Sequence, residues 1–511
     1  MAKIYDTLLA EYVKNPWVRW LSLDKLSERK LNYEMISYDE IAKKNKLKDF
    51  SELDLETAVK ISAEKSYITY KLFEEQEEEL DKMLSKGLKS SVDKLNDILE
   101  NIDFPFIEIL KNMELTGVKI SRDRLKELWI ILEKEAWTLE KEIYEIAEEE
   151  FNINSPKQVW WILFDKLWLP KWKKTKTGWS VSAEVLENLS KEFDIARKII
   201  DYRHYTKINS TFVNWLLDLL DENDLLHTSY NQAVTATGRL SSTNPNLQNI
   251  PSSSWIAWEV RSAFISRFEW WKIMAIDYSQ VELRLLAIMS GDENLLEVFK
   301  NDWDIHQKTA DLIEVTDRKI AKAVNFWVIY WISGFWLSKM IDITVSDANL
   351  YIKKFFESYP KVRIFLDETI KKCEETGYVE TLFWRKRYIK WITDRNKMIK
   401  SGAEREAINM PIQWTNADIM KIAMLRIGKF LKGEQNIIHH PLGASFNTKG
   451  SKELKSQLIM QVHDEVVFDV YPWEEEILKK NITEIMENVL VDKEIKLKAD
   501  CEMGDNWKEA K

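Results

Sequence analysis

Glycine is scarce in this chain, which has 13 glycines among its 511 residues. Ordinary usage near 7% would give about 36. Tryptophan is in excess, at 23 residues, and the two counts together match the ordinary number of glycines. A deficit of one residue type beside a surplus of similar size in another indicates replacement at individual positions.

Cysteine is also rare, since Cys373 and Cys501 are the only two and have no CxxC or Cys/His spacing. This excludes a disulfide framework and a cysteine-ligated zinc site. The first fifteen residues lack the apolar core of a signal peptide, and no run approaches the roughly 18 apolar residues of a membrane-spanning helix. With 45% hydrophobic and 31% charged residues, we expect a soluble cytoplasmic protein of several domains, without a membrane partner.

The formal net charge of −10 argues mildly against a nucleic-acid partner, because phosphate binding usually leaves a basic footprint. The charge is unevenly distributed. Acids concentrate in runs such as Glu74 to Glu79, whereas bases cluster at Lys171 to Lys176 and at Arg385 to Lys390. A charge run is usually a solvated face, so neither basic cluster establishes DNA binding.

Hydrophobic periodicity predicts how helices and strands alternate along the chain. The predicted segments are mixed elements to about residue 100, a helical arm over 106–225, β-like runs over 226–290, helices over 291–404, and a tail from 405 with a helix, a polar insertion (Gly433 to Ser451) and a hairpin. In the arm, Leu125, Leu128, Ile131 and Leu132 are predicted to share one face. The segments predict an α/β (α+β mixed) fold in which helices interrupt a sheet.

Two acidic residues follow predicted buried strands. Asp277 ends the apolar run Lys272 to Ile276, and Asp464 lies at the tip of a predicted hairpin in His463-Asp464-Glu465. An aspartate at a strand end is more often a helix cap than a ligand. Adjacent acids between apolar strands are nevertheless costly unless they are solvated or bound to a cation. Two such carboxylates are what a pair of Mg²⁺ ions about 4 Å apart requires.

A third motif combines cations and aromatic rings. Arg318, Lys322, Phe326 and Tyr330 recur every four residues and are predicted to form one stripe of a helix. Arginine and lysine suit a triphosphate, and aromatic rings suit a sugar and base. The alternative is a solvated charged turn that runs into a core helix.

Five segments, in order, resemble those of family A DNA polymerases. They are Thr235 to Pro251 (the primer-template segment), Asp277 to Ala287 (motif A), Arg318 to Tyr330 (motif B), Glu404 to Gln413 (the palm helix) and Met460 to Glu465 (motif C). The resemblance runs from about Tyr5 to the C-terminus and implies a right-hand polymerase fold. It implies a DNA-directed DNA polymerase that adds dNTPs to a primer by two-metal-ion nucleotidyl transfer.

The resemblance also implies roles for individual residues. Asp277 and Asp464 would be catalytic metal ligands for two Mg²⁺ ions, with Mn²⁺ as a possible substitute and with the Tyr278 carbonyl and Glu465 assisting. Glu282 would exclude the ribose 2′-hydroxyl. The residues implied to bind the nucleotide are Gln280, Glu282, Arg318, Lys322, Phe326, Tyr330 and His463. Those implied to contact DNA are Arg239, Asn246, Gln248, Arg405, Asn409 and Gln413.

The implied domains are a thumb over 101–225, a palm over 226–290 and 405–511, and fingers over 291–404. Residues 1–100 resemble only the last part of a 3′–5′ exonuclease domain. Ile61 and Lys65 stand where that domain has a tyrosine and a metal-binding aspartate, so we expect no proofreading. The segment is a structural remnant, or the chain begins inside a longer protein.

Two other functions stay open. A single-subunit RNA polymerase shares the two-aspartate palm, but Glu282 and the segment Asn244 to Pro251 argue against it. A catalytically inactive DNA-binding relic is favoured only if the tryptophans are literal. For an active enzyme, the expected partners are primer-template DNA and dNTPs, and we expect a monomer associated with the nucleoid.

Several tryptophans stand where the family has glycine. The clearest are Trp327, Trp331, Trp384 and Trp414, and others of the same kind are Trp17, Trp160, Trp168, Trp336 and Trp391. Glycine serves where the chain needs positive φ or a close backbone approach. We therefore interpret these positions as UGA codons that are read as glycine, whereas Trp507 matches a genuine family tryptophan. The alternative is that the indoles are stacking platforms for bases.

Overall fold

The computed structural model describes residues 4–16, 21–171, 174–175, 178–250, 255–330, 333–434, 453–490 and 495–511. Trp17 and Trp331 lie outside the described residues. So do Lys173 and Lys176 of the first basic cluster, and all but the first two residues of the polar insertion.

The first hundred residues form helices. They are α1 (Thr7–Lys14), α2 (Leu23–Leu26), α3 (Tyr38–Asn45), α4 (Leu55–Ser85) and α5 (Lys89–Ile98), with short π-helical turns at Ser27–Leu31 and Leu99–Asp103 and a 3₁₀ turn at Phe50–Glu52. Mixed elements were predicted here, but no strand occurs in the described part of residues 4–103. Asp54 caps the first turn of α4 and fixes where the helix begins, and Ile61, Ile68 and Leu72 recur on one buried face along it.

The arm predicted over residues 106–225 is largely helical, as expected, and its elements run from residue 104 to residue 226. Its elements are α6 (Phe104–Thr116), β1 (Val118–Lys119), α7 (Arg122–Ala147), α8 (Pro156–Trp161), a π-helical turn (Ile162–Lys166), β2 (Lys174–Thr175), β3 (Gly178–Trp179), α9 (Ala183–Ser190), α10 (Asp194–Ile208), a further π-helical turn (Asn209–Asn214), α11 (Trp215–Leu219) and β4 (Leu225–Leu226). In α7, Leu125, Leu128 and Leu132 are buried, but the prediction for Ile131 is wrong, because its side chain is 44% exposed at the edge of the apolar stripe.

Short strands lead into the principal sheet. The short strands are β5 (Ser229–Asn231) and β6 (Ser241–Thr243). A 3₁₀ turn (Leu247–Asn249) and α12 (Trp255–Arg261) follow them, and β7 (Lys272–Tyr278) then enters the sheet. The predicted apolar strand is confirmed as β7, which continues through Asp277 to Tyr278.

Helices dominate residues 281–431. They are α13 (Val281–Ser290), α14 (Glu293–Lys300), α15 (Ile305–Ile313), α16 (Arg318–Tyr330), α17 (Gly334–Ile341), α18 (Val345–Ser358), α19 (Pro360–Thr376) and, after the strands β8 (Tyr378–Glu380) and β9 (Lys386–Tyr388), α20 (Lys397–Leu431). No helix in the described part of the chain is long and apolar enough to cross a membrane.

The principal sheet has four antiparallel strands in the order β10–β11–β7–β12. The last elements of the chain complete it, namely β10 (Gln457–Val462), β11 (Glu465–Val470), α21 (Glu475–Glu487) and β12 (Ala499–Gly504). The predicted hairpin is confirmed as β10–β11 with a two-residue turn at His463 and Asp464.

Strand β7 is buried on both faces, which explains its continuous apolar sequence. Because side chains alternate along a strand, Met274 and Ile276 pack into one hydrophobic core, whereas Ile273 and Ala275 pack into another. The strand is therefore held in place from both sides, and the residues at its end have a fixed position.

A buried ion cluster joins the start of α6 to α20 and to the β8–β9 hairpin. Arg385 donates to Asp103 and to Asp418, each at 2.8 Å, and Lys421 donates to Asp103 at 2.7 Å. All four side chains are at most 4% exposed. Burial alone would raise the pKa of Asp103, but Arg385 and Lys421 hold it at about 2. Arg385 is thus a structural cation and not part of a solvated basic face.

Replacing Arg385 should destabilise the fold. We expect Arg385→Met to lower the free energy of unfolding by about 3 to 5 kcal/mol, because Asp103 and Asp418 would lose the cation between them while staying buried. Urea unfolding of the wild type and the variant measures this change.

The matched control is Arg197→Met, which removes an exposed i,i+3 pair with Asp194 in α10. Its effect should be below about 1 kcal/mol. Equal losses in the two variants would show that the buried cluster has no special weight.

Candidate active site

The end of β7 and the β10–β11 turn bring two carboxylates to one edge of the sheet. Asp277 lies opposite Glu465 of β11 and opposite Asp500 of β12. The Tyr278 N–H donates to the carbonyl of Asp464 at 3.1 Å, which fixes the turn against β7. Two residues almost two hundred positions apart thus meet through strand pairing.

Asp277, Asp464 and Glu465 line a cleft of about 420 Å³. Its other walls are formed by Gln248, Asn249, Ile250, Arg261, Val462, His463 and Lys511. The volume lies in the range of roughly 300 to 1,000 Å³ that is usual for ligand sites. The cleft therefore has room for ligand atoms beside the carboxylates.

Asp277 is a carboxylate in an unfavourable place for negative charge. Burial raises its pKa to about 7, with Glu465 and Asp464 adding to the rise and Lys511 opposing it. No described residue donates a hydrogen bond to its carboxylate. A cation beside Asp277 would therefore stabilise the charged form.

Glu465 is held from two sides. The Trp507 indole N–H donates to its Oε1 at 2.6 Å, and Lys511 donates to its Oε2 at 2.5 Å. Trp507 is fully buried against Phe264. Glu465 is therefore less available to a cation than Asp277, although it adds negative charge to the same edge.

Asp464 is oriented by the long helix α20. Asn416 donates to its Oδ1 at 2.8 Å, and the Arg239 guanidinium lies 3.7 Å from the same oxygen. Asn416 is itself 1% exposed. The helix thus fixes the direction of the Asp464 carboxylate.

Glu282 and Arg239 form an ion pair close to Asp464. Arg239 donates to Glu282 at 2.8 Å. Burial nevertheless raises the pKa of Glu282 to about 7, with Arg239 opposing the rise and Asp464 adding to it. Burial also raises the pKa of Tyr330, with a further contribution from Glu282. These residues extend the site from the sheet edge to α16.

The α16 stripe is confirmed as one helical face. Arg318, Lys322 and Phe326 are exposed and Tyr330 is half-buried. Arg318 pairs with Asp304 at 2.8 Å. None of the described residues of α16 lines the 420 Å³ cleft itself, so the stripe forms a surface beside it.

Comparison with known proteins identifies the family. Residues 122–509 match the family model described as DNA polymerase family A. The chain belongs to DNA polymerase family A. It is 43% identical over 424 residues to DNA polymerase I of Bacillus subtilis, an alignment that covers 81% of this chain and 46% of that protein. It is 44% identical over 423 residues to DNA polymerase I of Caldicellulosiruptor bescii, covering 81% and 47%.

The chain spans about half the length of these curated relatives. It is also similar to a solved structure, the POL domain of Pol1 from M. smegmatis in complex with DNA primer-template and dNTP. That match has a TM-score of 0.83 and 28% identity, and it covers 99% of this chain and 82% of the other. The mixed, helix-rich α/β architecture is therefore that of a family A polymerase domain, as the motifs predict.

Of the predicted DNA contacts, Gln248 lines the cleft and Arg239 lies near Asp464. Arg405, Asn409 and Gln413 recur every four residues on α20. Arg405 donates to Ser401 at 3.1 Å and Gln413 is largely buried. On the sheet side, Asn246 caps a 3₁₀ turn, and Gln248 donates to Gln461 at 2.9 Å. Their roles towards DNA stay predictions.

Sequence reasoning missed four polar residues, namely Arg261, His306, Asn416 and Lys511. Arg261 is 3% exposed and lies in the cleft wall, with its guanidinium 4.0 Å from the Trp507 ring. His306 stacks on Phe326 and shares a hydrogen bond of 2.9 Å with Asn325. The sequence offered one signal for such site residues, namely a charged or amide side chain within an apolar run, as at Arg261 and Asn416.

The raised pKa of Glu282 predicts a pH dependence of stability. The folded protein holds this proton up to about pH 7, whereas the ordinary carboxyl value is 4.5. The native state therefore binds more protons than the unfolded state between these values, so this group makes stability fall as pH rises from about 4.5 to 7. We expect Glu282→Gln to flatten that fall by up to about 3 kcal/mol.

The measurement is urea unfolding at several pH values in buffer without divalent cations. The control is Glu357→Gln on α18, whose carboxyl is exposed and whose i,i+4 partner is Lys353. The control should follow the wild-type profile. Parallel profiles for wild type and Glu282→Gln would contradict the raised pKa.

Proposed function

We propose that this chain is a DNA-directed DNA polymerase that adds dNTPs to a primer 3′-hydroxyl on a DNA template. The observation that carries the proposal is the meeting of Asp277 and Asp464 at one cleft, with the pKa of Asp277 raised by burial and by neighbouring acids. The relatives are DNA polymerases I, and the M. smegmatis structure is a complex with primer-template and dNTP. Primer-template DNA and a dNTP are therefore the partners that we propose for the cleft at Asp277 and for the α16 surface beside it.

Two Mg²⁺ ions fit the residues present, with Mn²⁺ as a substitute. Asp277 and Asp464 supply the carboxylates, with the Tyr278 carbonyl and Glu465 beside them. The described residues contain no cluster of three or more His, Cys, Asp or Glu side chains arranged to hold a metal, but Mg²⁺ usually takes one or two carboxylates and completes its shell with water and substrate phosphates. When bound, such a pair of ions would activate the attacking hydroxyl and stabilise the leaving pyrophosphate.

The chain's own residues select and orient the nucleotide. Arg318 and Lys322, which are exposed on α16, would hold the triphosphate, and Phe326 and Tyr330 would stack on the sugar and base. Glu282 would exclude a ribose 2′-hydroxyl, because its buried carboxyl is fixed by Arg239 and has little freedom to move aside.

The template-primer duplex would lie along α20 and the sheet edge. The contacts we assign to it are Arg239, Asn246, Gln248, Arg405, Asn409 and Gln413, with His463 near the primer end and Gln280 near the nucleotide. Arg239 would also act inside the site, since it pairs with Glu282. We assign the thumb to 101–225, the fingers to 291–404 and the palm to the rest after 225. From the resemblance to the family we also expect a cytoplasmic monomer associated with the nucleoid.

Loss of either carboxylate should abolish primer extension. We expect Asp277→Asn and Asp464→Asn to lower kcat by at least about 10³-fold, since a metal ligand contributes several kcal/mol of transition-state stabilisation. Primer-template affinity should stay within about threefold, because neither change removes a cationic phosphate contact. Single-nucleotide extension and fluorescence anisotropy measure the two quantities.

The matched control is Asp500→Asn, an exposed aspartate opposite Asp277 in β12. It should keep nearly full activity. Substantial turnover by Asp277→Asn would refute the two-metal assignment, and incorporation of rNTPs as fast as dNTPs would instead favour an RNA polymerase.

We also propose that the chain does not proofread. Ile61 is fully buried in α4, and Lys65, one turn later, is exposed with its ammonium 5.9 Å from the Phe50 ring. Neither side chain can replace a metal-binding carboxylate. A primer with a mismatched 3′ end, incubated with Mg²⁺ and no dNTP, should therefore persist on a gel. Rapid trimming by the purified chain would contradict the proposal.

We further propose that many of the tryptophans are glycines in the natural protein. Among the described residues, five tryptophans have positive φ: Trp168, Trp270, Trp384, Trp391 and Trp473, at 53° to 75°. A bulky residue is a genuine outlier in this region, whereas glycine enters it freely. Four of the five side chains are also between 64% and 93% exposed, which is unusual for an indole.

Other tryptophans are accommodated without such strain. Trp414 is buried in α20, and its indole N–H donates to the Ala236 carbonyl at 2.9 Å. Its ring leaves no space at Gly238, where an added Cβ would lie 3.0 Å from it. Trp327 is also buried in a helix. At these two positions the proposal is supported by the family pattern and not by backbone strain.

Mass spectrometry of the natural protein tests the recoding. We expect peptides that contain residues 384, 391 and 473 to have the mass of glycine at those positions. The peptide with Trp507, whose indole is hydrogen-bonded to Glu465, is the internal control and should retain tryptophan. Tryptophan at all of these positions would contradict recoding.

A further inference from the structure

A second cleft lies at the junction of the N-terminal helices and the β8–β9 hairpin. Its volume is about 540 Å³, and its walls come from the end of α1, the end of α4, α5 and the hairpin. Five lysines line it, namely Lys14, Lys82, Lys86, Lys94 and Lys386, and we call it the lysine cleft. None of its lining residues belongs to the active-site cleft.

The lysine cleft is positive in a chain whose net charge is −10. Glu79 is its only acidic lining residue among those described, and it is already paired with Lys14. Lys82 has a partner, Glu78, at 3.4 Å on the exposed face of the same helix, and such pairs contribute little. Lys386 lies 3.9 Å from Glu380, an acid outside the lining. Lys86 and Lys94 have no ion-pair partner among the described residues. A concave surface with unneutralised lysines attracts anions.

The cleft also offers apolar surface for a base. Tyr388 is 39% exposed and Leu88 is 45% exposed in its wall. Lysines with an exposed aromatic ring between them are the combination that binds single-stranded nucleic acid without sequence preference. Trp384 also lines the cleft, but a glycine at that position would leave Tyr388 and the lysines in place.

The β8–β9 hairpin connects this cleft to the helix that we assign to template contact. Successive side chains of a strand point to opposite faces, and Lys386 and Tyr388 line the cleft, whereas Arg387 between them pairs with Glu406 of α20 at 3.0 Å. Glu406 is adjacent to Arg405. The two faces of one short hairpin therefore serve the lysine cleft and α20.

We propose that the lysine cleft binds the unpaired template strand that has not yet been copied. The proposal rests on the polymerase function proposed above. The primer ends at the active site, so the template is the strand that continues past it as a single strand. Lysine is suited to this task, since it contacts phosphates as a point charge and reads no base sequence.

The test compares primer-templates that differ in the length of their 5′ template overhang. One has about two unpaired nucleotides and the other about 16, the upper end of single-strand site sizes.

The variant is Lys82→Ala/Lys86→Ala/Lys94→Ala, with Lys82→Ala/Lys86→Ala as a milder form. The control is Lys43→Ala/Lys44→Ala/Lys60→Ala, which removes three exposed lysines from α3 and α4 outside the cleft. Unfolding midpoints confirm that each variant is folded.

Wild type should bind the long overhang more tightly than the short one. The triple cleft variant should lose about tenfold in affinity for the long overhang and little for the short one. For the long overhang, the slope of log K against log salt concentration should become about two units less steep than in the wild type. The control variant should behave as wild type. Extension on the short overhang should be unchanged.

Other outcomes would overturn the proposal. They are equal affinity of wild type for both overhangs, an equal loss in the control variant, or competition by free dAMP with no dependence on overhang length, which would indicate a mononucleotide site. Failure of wild type to bind either duplex would refute the polymerase function as well. Binding and extension without overhang dependence would refute the lysine cleft alone.

Discussion

Repulsion among carboxylates at one sheet edge is the constraint on which the rest of this structure depends. Burial on both faces of β7 fixes Asp277 at its end, and strand pairing brings Glu465 and the β10–β11 turn beside it. Burial raises the pKa of Asp277 to about 7, and the neighbouring Glu465 and Asp464 add to the rise. Lys511 and Arg239 neutralise these acids only in part, and a fold that holds such acids together is less stable than one that does not, unless a further cation is supplied. The proposed cation pair supplies that compensation.

The surrounding structure keeps these acids from moving apart. Asn416 holds Asp464, while Trp507 and Lys511 hold Glu465. The helix that carries Asn416 is in turn fixed by the buried Asp103–Arg385–Asp418–Lys421 cluster, of which Asp418 lies two residues farther along it. Positioning of Asp464 thus depends on ion pairs between segments that are far apart in sequence.

Local patterns predicted local structure well here. The strand at Asp277, the hairpin at Asp464 and the helical stripe from Arg318 to Tyr330 are confirmed, because each is encoded by the periodicity of a short segment. Ile131 was wrongly grouped with its buried neighbours, since periodicity alone does not set the width of a buried face. The ion pair between Arg239 and Glu282 and the contact of Asn416 with Asp464 are tertiary, and no single-segment pattern encodes them.

The most direct test of the account counts the cations at this sheet edge. Electron paramagnetic resonance of Mn²⁺ can measure the ions bound by the protein with a dideoxy-terminated primer-template and a matching dNTP. Two metal ligands at this edge should give about two bound ions for the wild type and fewer for Asp277→Asn. Equal numbers of bound ions in the wild type and in Asp277→Asn would contradict the account.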